Sequence, residues 1–483
     1  MAAMKAKRTN ILLLFTDQQR ADTIAALGNP IIRTPALDRL AREGLAFTRC
    51  YTPSPVCVSA RFALVTGLPP HVTGCADNQP MPQDRPSFME RLRDLGYHTH
   101  GVGKMHFTPE ARRLWGFESR DVSEEMPPET DDYRQFLDAN GFDHVDEPHG
   151  VRSEFYYIPQ PSQLPARLHN TTWVADRSIE FLKRRDRRRP FFLWSSFIKP
   201  HPPFESPTPW NKLYRCAKMP TPFRPDGFER LLNYWNHFQN RYKYRDRGND
   251  RQLHRTICAA YYGCISFIDF QIGRILDVLG REAENTLVVF TSDHGELLGD
   301  YGSFGKRCML DAAARVPLLV RWPKMLRAGA RCSAPATLLD LWPTFLSAAC
   351  ANEPQTCADG VDLRSLVKRP GLREDVISQF QDGRHGLYMI TDRRWKYIYS
   401  APDQREWLFD LRRDPRETKP VRVPHLARMR KTLLQRLRRD GWKKFPKLKV
   451  PADPDAGLLF QDPAGQRERI AALGAYAPQE KGS

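Results

Sequence analysis

Four stretches of this chain run apolar and then break off abruptly in charged or amide side chains. They are Ile11-Leu12-Leu13-Leu14-Phe15 before Asp17-Gln18, and Tyr97 to Val102 before Lys104-Met105-His106. Phe191 to Ile198 precedes Lys199-Pro200-His201, and Thr286 to Phe290 precedes Asp293-His294. A strand with one wet face alternates polar and apolar residues. A continuous run belongs to a strand covered on both faces, as in a parallel sheet between helical layers.

Helical patterns lie between these runs. Thr34-Pro35-Ala36-Leu37 to Gly44 has Thr at the cap, Pro in the first turn and a closing Gly. Tyr261 to Leu279 carries an apolar stripe and stops at Gly280. Strands alternating with helices predict an α/β sandwich with a large, mostly parallel central sheet. Ligands in such sheets bind beyond the carboxyl ends of the strands, where all four polar clusters fall. Stretches near 120–165 and 202–250 show no clear period and read as long insertions that wall a site. Near 370 the character changes. Leu387–Ile390, Trp395–Tyr399 and Trp407–Leu411 predict antiparallel strands, Leu426–Arg438 a basic amphipathic helix, and the region after 450 an extended tail. The expected division is a catalytic domain over 1–370 and a small α+β subdomain over 371–483.

Several function classes fall away on bulk properties. No stretch approaches the roughly 20 apolar residues of a membrane helix. The run at 11–15 is too short for the core of a secretion signal, so a cytoplasmic protein is expected. The ten cysteines show no Cys-x-x-Cys pair and no short secreted framework, which predicts mostly reduced, buried thiols. The net charge of +18 favours anionic partners or simply a solvated Arg-rich surface. No nucleic-acid-binding motif accompanies it.

Chemistry concentrates at the strand ends. Asp17 and Asp293, with Gln18 and His294, are candidate ligands for a divalent cation, and oxygen ligands favour calcium or magnesium. Each Asp alone would more often cap a helix. Cys57 follows a Pro-rich loop and opens the helical segment that ends at Gly67, with Arg61 one turn on. A helix N-terminus and an arginine lower a thiol's pKa, whereas an ordinary buried cysteine is inert. Lys104 and His106 are two apart and share a direction if the strand continues, and Lys199 and His201 repeat the spacing. Lys306 lies in Gly302-Ser303-Phe304-Gly305-Lys306. Three lysines, Arg61 and two histidines at one edge make a pocket for a small oxyanion.

These segments resemble the sulfatase family of the alkaline phosphatase superfamily. Asn10–Asp22 is similar to its first metal motif, and Cys57–Gly67 to its Cys-x-Pro-x-Arg maturation signature. Gly103-Lys104-Met105-His106 resembles Gly-Lys-Trp-His. Lys199–Phe204, Ser292–Glu296 and the pair Asp392–Tyr397 with Leu408–Leu411 resemble further signatures. Each is weak alone; in the family's order they are specific. Two departures stand out: Ser59 occupies the signature's proline position, and Asp17-Gln18 replaces an Asp pair, as in choline sulfatase-like and phosphonate hydrolase-like branches.

The resemblance implies an alkaline phosphatase-like sandwich and a sulfatase mechanism. A separate maturation enzyme would oxidise Cys57 to formylglycine, which hydrates to a diol. Asp17, Gln18, Cys57, Asp293 and His294 would surround Ca2+, with Mg2+ and Mn2+ as alternatives. One diol hydroxyl would attack sulfur. His201 and Lys306 would position the sulfate and protonate the leaving oxygen, Lys104 and Arg61 would hold the diol, and His106 would deprotonate the second hydroxyl. The implied substrate is a sulfated sugar, an aryl sulfate or a small alkyl sulfate, and the sequence is compatible with a homo-oligomer. Two rival readings are a phosphonate monoester hydrolase or phosphodiesterase, whose branch lacks the Lys104 and His106 equivalents, and a catalytically silent anion-binding homologue.

Overall fold

The computed structural model describes residues 8–126, 130–152, 156–243, 250–350 and 360–441. All four apolar runs are strands of one sheet. In chain order the sheet contains β1 (Asn10–Thr16), β2 (Leu45–Phe47), β3 (His98–Gly103), β4 (Ser119–Val122), β5 (Phe191–Phe197), β6 (Thr286–Ser292), β7 (Leu318–Arg321) and β8 (Ala330–Cys332). The spatial order is β8-β2-β7-β6-β1-β5-β3-β4. From β6 to β4 all pairings are parallel, and β7 runs antiparallel to both of its neighbours.

The unbroken hydrophobicity of β1 is explained by its two faces. Ile11, Leu13 and Phe15 pack into one apolar layer with Phe62 and Phe345, from helices α2 (Cys57–Thr66) and α6 (Leu341–Ala348). Leu12 and Leu14 enter the opposite layer with Leu37, Val174 and Ile272. Those come from α1 (Pro35–Glu43), α4 (Asn170–Arg184) and α5 (Arg251–Leu279). Each such fully buried side chain contributes about 1.5–3 kcal/mol.

Register does the rest. Thr16 pairs with both Phe197 and Ser292, and Gly103 pairs with Ser196. The residues that follow therefore emerge together at one edge. Gly103 lies at φ 85, and a Cβ there would come 2.1 Å from the Ser196 carbonyl oxygen, so only glycine lets β3 approach β5 at this point.

Several local expectations change. Thr34 does not cap α1: its hydroxyl receives the Ala25 N–H at 2.9 Å instead. Asp269 of α5 caps α1 from across the layer, accepting from Ala36 N at 3.0 Å and Leu37 N at 2.8 Å. The aperiodic region after 120 contains β4 and a helix, α3 (Asp132–Ala139), started by Asp131, which accepts from Tyr133 N and Arg134 N. The expected extended tail lies outside the described residues. Among the described residues no helix is long and apolar enough to cross a membrane, and every described cysteine is free.

The C-terminal region forms an antiparallel sheet of β9 (Val376–Phe380), β10 (Leu387–Thr391), β11 (Trp395–Ser400) and β12 (Arg405–Asp410), packed by α7 (His425–Arg439). Lys396 of β11 ties it to the rest. Its ammonium lies 2.5 Å from Asp311 and 2.6 Å from Glu417, and the Lys396 and Glu417 side chains are fully buried. Burial pushes the Glu417 carboxyl up to about 7; Lys396 opposes that rise and Asp311 adds to it. Removing the cation while leaving two buried carboxylates is costly. Lys396→Met should lower the unfolding free energy by about 3–5 kcal/mol, measured by guanidinium denaturation; a loss below about 1 kcal/mol would show that the cluster is relaxed or hydrated.

Candidate active site

The site assembles at the carboxyl ends of β1, β3, β5 and β6, against the N-terminus of α2. Every residue of α2 is buried, so its rotation is fixed by packing. Its start is capped from outside: the Asn78 side-chain oxygen accepts the Val58 N–H at 3.1 Å. That fixes Cys57 at the first helical position and puts Arg61 beneath it.

Arg61 binds the two strand ends together. Its Nε donates to Asp293 at 3.0 Å, and one terminal nitrogen reaches Asp17 at 3.1 Å. The other donates to the Lys104 carbonyl at 2.5 Å and Ser196 Oγ at 3.0 Å. All three charged side chains are fully buried. Lys104 adds a second cation 2.7 Å from Asp17. Burial works against the Asp17 charge, as does Cys57, yet Lys104, His201 and Arg61 hold it well below the usual range. Burial, then Asp17, push Asp293 up. Two carboxylates this close call for a further cation.

A metal fits the donor set. Ligand atoms of Asp17, Cys57, Asp293 and His294 all lie within 4.8 Å of one another. His294 Nδ1 sits 3.0 Å from the Gly295 carbonyl, which can only accept, so Nδ1 carries the proton and Nε2 offers a lone pair. That Nε2 lies 3.2 Å from Cys57 Sγ. Gln18 turns into the site at φ 68. Its backbone N–H reaches Asp293 at 3.0 Å, its side-chain oxygen accepts from Lys306 at 2.7 Å, and its amide nitrogen bonds Glu296.

Lys306 also donates to Cys57 Sγ at 2.9 Å. Burial raises the thiol's pKa, but Lys306, Lys104, His294 and a hydrogen bond from His106 bring it well below its ordinary value. His201 approaches from the other side. Its Nδ1 lies 2.7 Å from the Pro202 carbonyl, so Nε2 is the nitrogen that faces inward. Burial carries the imidazole down to about 4, with Glu125 acting the other way.

Two expectations need correction. Lys199 is not in the pocket: its ammonium donates to the His149 and Pro203 carbonyls at 2.9 and 2.7 Å and pairs with buried Glu205 at 3.1 Å. The chain bends after β5, so the spacing of two does not keep Lys199 beside His201. Lys104 and His106 do not share a strand face either, because β3 ends at Gly103 and His106 adopts φ 57. Glu124 clamps that bend, accepting from Met105 N at 3.1 Å and His106 N at 3.0 Å. Glu124, Glu125 and Asn78 escaped the sequence reading, as did Arg152, which pairs with Glu125. The available signal was an acidic pair one residue beyond β4, but β4 itself is short and charged.

A buried cation-and-carboxylate cluster beyond the parallel strands of such a sandwich suits an enzyme that hydrolyses anionic esters. The sulfatase family model matches residues 9–351, and the N-sulphoglucosamine sulphohydrolase C-terminal model matches residues 299–441. The chain belongs to the sulfatase family of sulfuric ester hydrolases. It is 30% identical to an arylsulfatase of Clostridium perfringens, covering 85% of this chain and 89% of that one. It is also 30% identical to a choline-sulfatase of Rhizobium meliloti, covering 86% and 82%. Among solved structures, the phosphonate monoester hydrolase of Agrobacterium radiobacter aligns with a TM-score of 0.75 at 25% identity, covering 90% of this chain and 95% of that one.

Arg61 tests the whole assembly, because lysine cannot reproduce a fork that spans two carboxylates. Arg61→Lys should cut turnover of an aryl sulfate on the order of hundredfold and lower the thermal midpoint. Retention of near-normal turnover would show that the fork is dispensable.

Proposed function

We propose that this enzyme hydrolyses sulfate esters to alcohol and inorganic sulfate, with Cys57 converted to formylglycine and a divalent cation at Asp17, Gln18, Asp293 and His294. The supporting observation is the meeting of Cys57 Sγ, two buried carboxylates and the His294 lone pair within 4.8 Å, with Lys306 on the sulfur. Ca2+ suits a site rich in oxygen donors, and Mg2+ or Mn2+ would satisfy the same set. The cation, when bound, supplies Lewis acidity at the ester's anionic group and at the side chain of residue 57. The hydrated aldehyde supplies a hydroxyl nucleophile that an unmodified thiol lacks.

The chain's own groups then have separable tasks. Arg61 holds Asp17 and Asp293 in place and opposes the loss of their charge. Lys306 and Lys104 bind developing negative charge beside residue 57. His201, with Nε2 facing inward beside Glu125, positions the ester group, and the Lys306 ammonium, a donor at the same point, hands a proton to the leaving oxygen. His106 takes a proton from the modified side chain when sulfate departs. Matching proton donors and acceptors to two different positions is general acid–base catalysis.

Relatives carry several substrate names. They include the choline-sulfatase and a multifunctional alkaline phosphatase superfamily protein of Trinickia caryophylli at 29% identity. An N-acetylglucosamine-6-O-sulfatase of Bacteroides thetaiotaomicron is 25% identical. The cleft that opens on Cys57 has a volume of about 390 Å3, which suits a small ester or a single sugar ring. The likeness to phosphonate monoester hydrolases supports a second reading as a phosphonate ester hydrolase. Lys104 and His106, both at the site, favour the sulfate.

The test begins with a tryptic peptide mass spectrum of protein co-expressed with a formylglycine-generating enzyme. An aldehyde mass at residue 57 should appear with aryl sulfatase activity. Chelation should abolish that activity, Ca2+ should restore it, and Cys57→Ala should lack it. An intact thiol in protein that nevertheless turns over sulfate esters would refute the formylglycine mechanism. Faster hydrolysis of an aryl phosphonate than of the sulfate would select the second reading.

A further inference from the structure

Beside the groups that would receive the sulfate sits a carboxylate to which the mechanism gives no task. Glu125 Oε2 lies 2.6 Å from the Lys104 ammonium, and Oε1 lies 3.5 Å from His201 Nε2. Its side chain is only 12% exposed and lines the same cleft as Cys57, His106 and Lys306. Glu124, its neighbour, serves backbone N–H groups. Glu125 points into the reaction space.

A third partner holds it there. The Arg152 guanidinium forms an ion pair with Glu125 and stacks over the Tyr156 ring at 5.2 Å. Arg152 belongs to the cleft wall and is outside the cluster around Cys57. When Lys104 and His201 turn to a substrate, Arg152 still tethers the carboxylate within range. Burial disfavours the Glu125 charge, but His201, Lys104 and Arg152 together hold its pKa well below the ordinary carboxylate range.

A fixed negative charge beside an anion site discriminates by charge number. A sulfate monoester carries one negative charge, and a phosphate monoester carries about two above pH ~6. Coulomb repulsion scales with the product of the charges, so the second charge doubles the penalty in a site that excludes water. We propose that Glu125 is a specificity-determining residue that admits singly charged ester groups and rejects doubly charged ones. This inference rests on the proposed reading that Lys104, His201 and Lys306 receive the ester's anionic group.

The experiment compares kcat/KM for 4-nitrophenyl sulfate and 4-nitrophenyl phosphate at about pH 8, where the phosphate is doubly charged. Wild type, Glu125→Gln and Glu125→Asp are measured as the matured enzyme with its cation. A 4-nitrophenyl phosphonate monoester, singly charged but phosphorus-centred, is the control. Ratios within one preparation are insensitive to the fraction of correctly folded or converted protein. Glu125→Gln should raise the phosphate-to-sulfate ratio on the order of tenfold or more, Glu125→Asp should stay near wild type, and the phosphonate-to-sulfate ratio should hardly move. An unchanged ratio in Glu125→Gln overturns the inference. So does an equal gain for the phosphonate, or an Asp variant that behaves like Gln. If the matured wild type shows no sulfate turnover above Cys57→Ala, the functional reading fails separately. The charge filter is then read from dissociation constants of methyl sulfate against inorganic sulfate in the same variants. Glu125→Gln should gain selectively for the doubly charged ion, and equal gains would overturn the filter.

Discussion

The buried fork of Arg61 between Asp17 and Asp293 is the interaction on which the rest depends. Each carboxylate sits at the end of a parallel strand, and burying either alone would cost several kcal/mol. One guanidinium satisfies both, with its remaining nitrogen on the Lys104 carbonyl and Ser196. Four strands and the helix of Cys57 are thus locked at one point. The sheet register that aligns Thr16 with Ser292 and Phe197 is what makes this possible. A slip of one residue would turn each side chain to the other face.

This arrangement is poor for stability and good for chemistry. Asp17 and Asp293 repel one another in a medium that screens weakly, and burial, with that repulsion second, raises the pKa of Asp293. The same repulsion creates the demand for a cation. The chain supplies Lys104 and Lys306 near residue 57, and both favour negative charge there whether it is on sulfur or on oxygen. Preorganised charge of this kind is the usual source of the largest catalytic terms, because no reorganisation occurs during reaction. The Lys396 cluster follows another logic. It lies where the C-terminal sheet meets the main body, and its charges join two parts of the fold.

How much was legible in the sequence follows from where information is stored. Strands buried on both faces write themselves as unbroken apolar runs, so the four central strands and their polar ends could be read directly. Asp17, Cys57, Asp293 and Lys306 followed, because each stands beside a strong local signal. Capping by Asp269 or Asn78 could not be read, because each cap lies far along the chain from the helix it starts. Lys199 misled because a spacing of two carries meaning only while the strand lasts, and β5 ends at Phe197. Glu125 and Arg152 were hidden in a stretch without period. Their placement comes from the sheet edge they cover and leaves no mark in local sequence.

Ser59 shows why a departure from a signature need not disturb the folded site. It is the third residue of α2, and the first N–H groups of a helix have no carbonyl within it. Proline at such a position removes no intrahelical hydrogen bond. Serine is accommodated as well: its hydroxyl donates to the Cys75 carbonyl at 2.6 Å, and the residue is buried. The two residues are therefore nearly equivalent for placing Cys57 and Arg61. Cys57 is itself only 1% exposed, so an enzyme that modifies it must meet the segment before α2 packs. Were Cys57 modified before α2 packs, serine at position 59 would act in the unfolded chain, where a proline restricts the backbone and a serine does not.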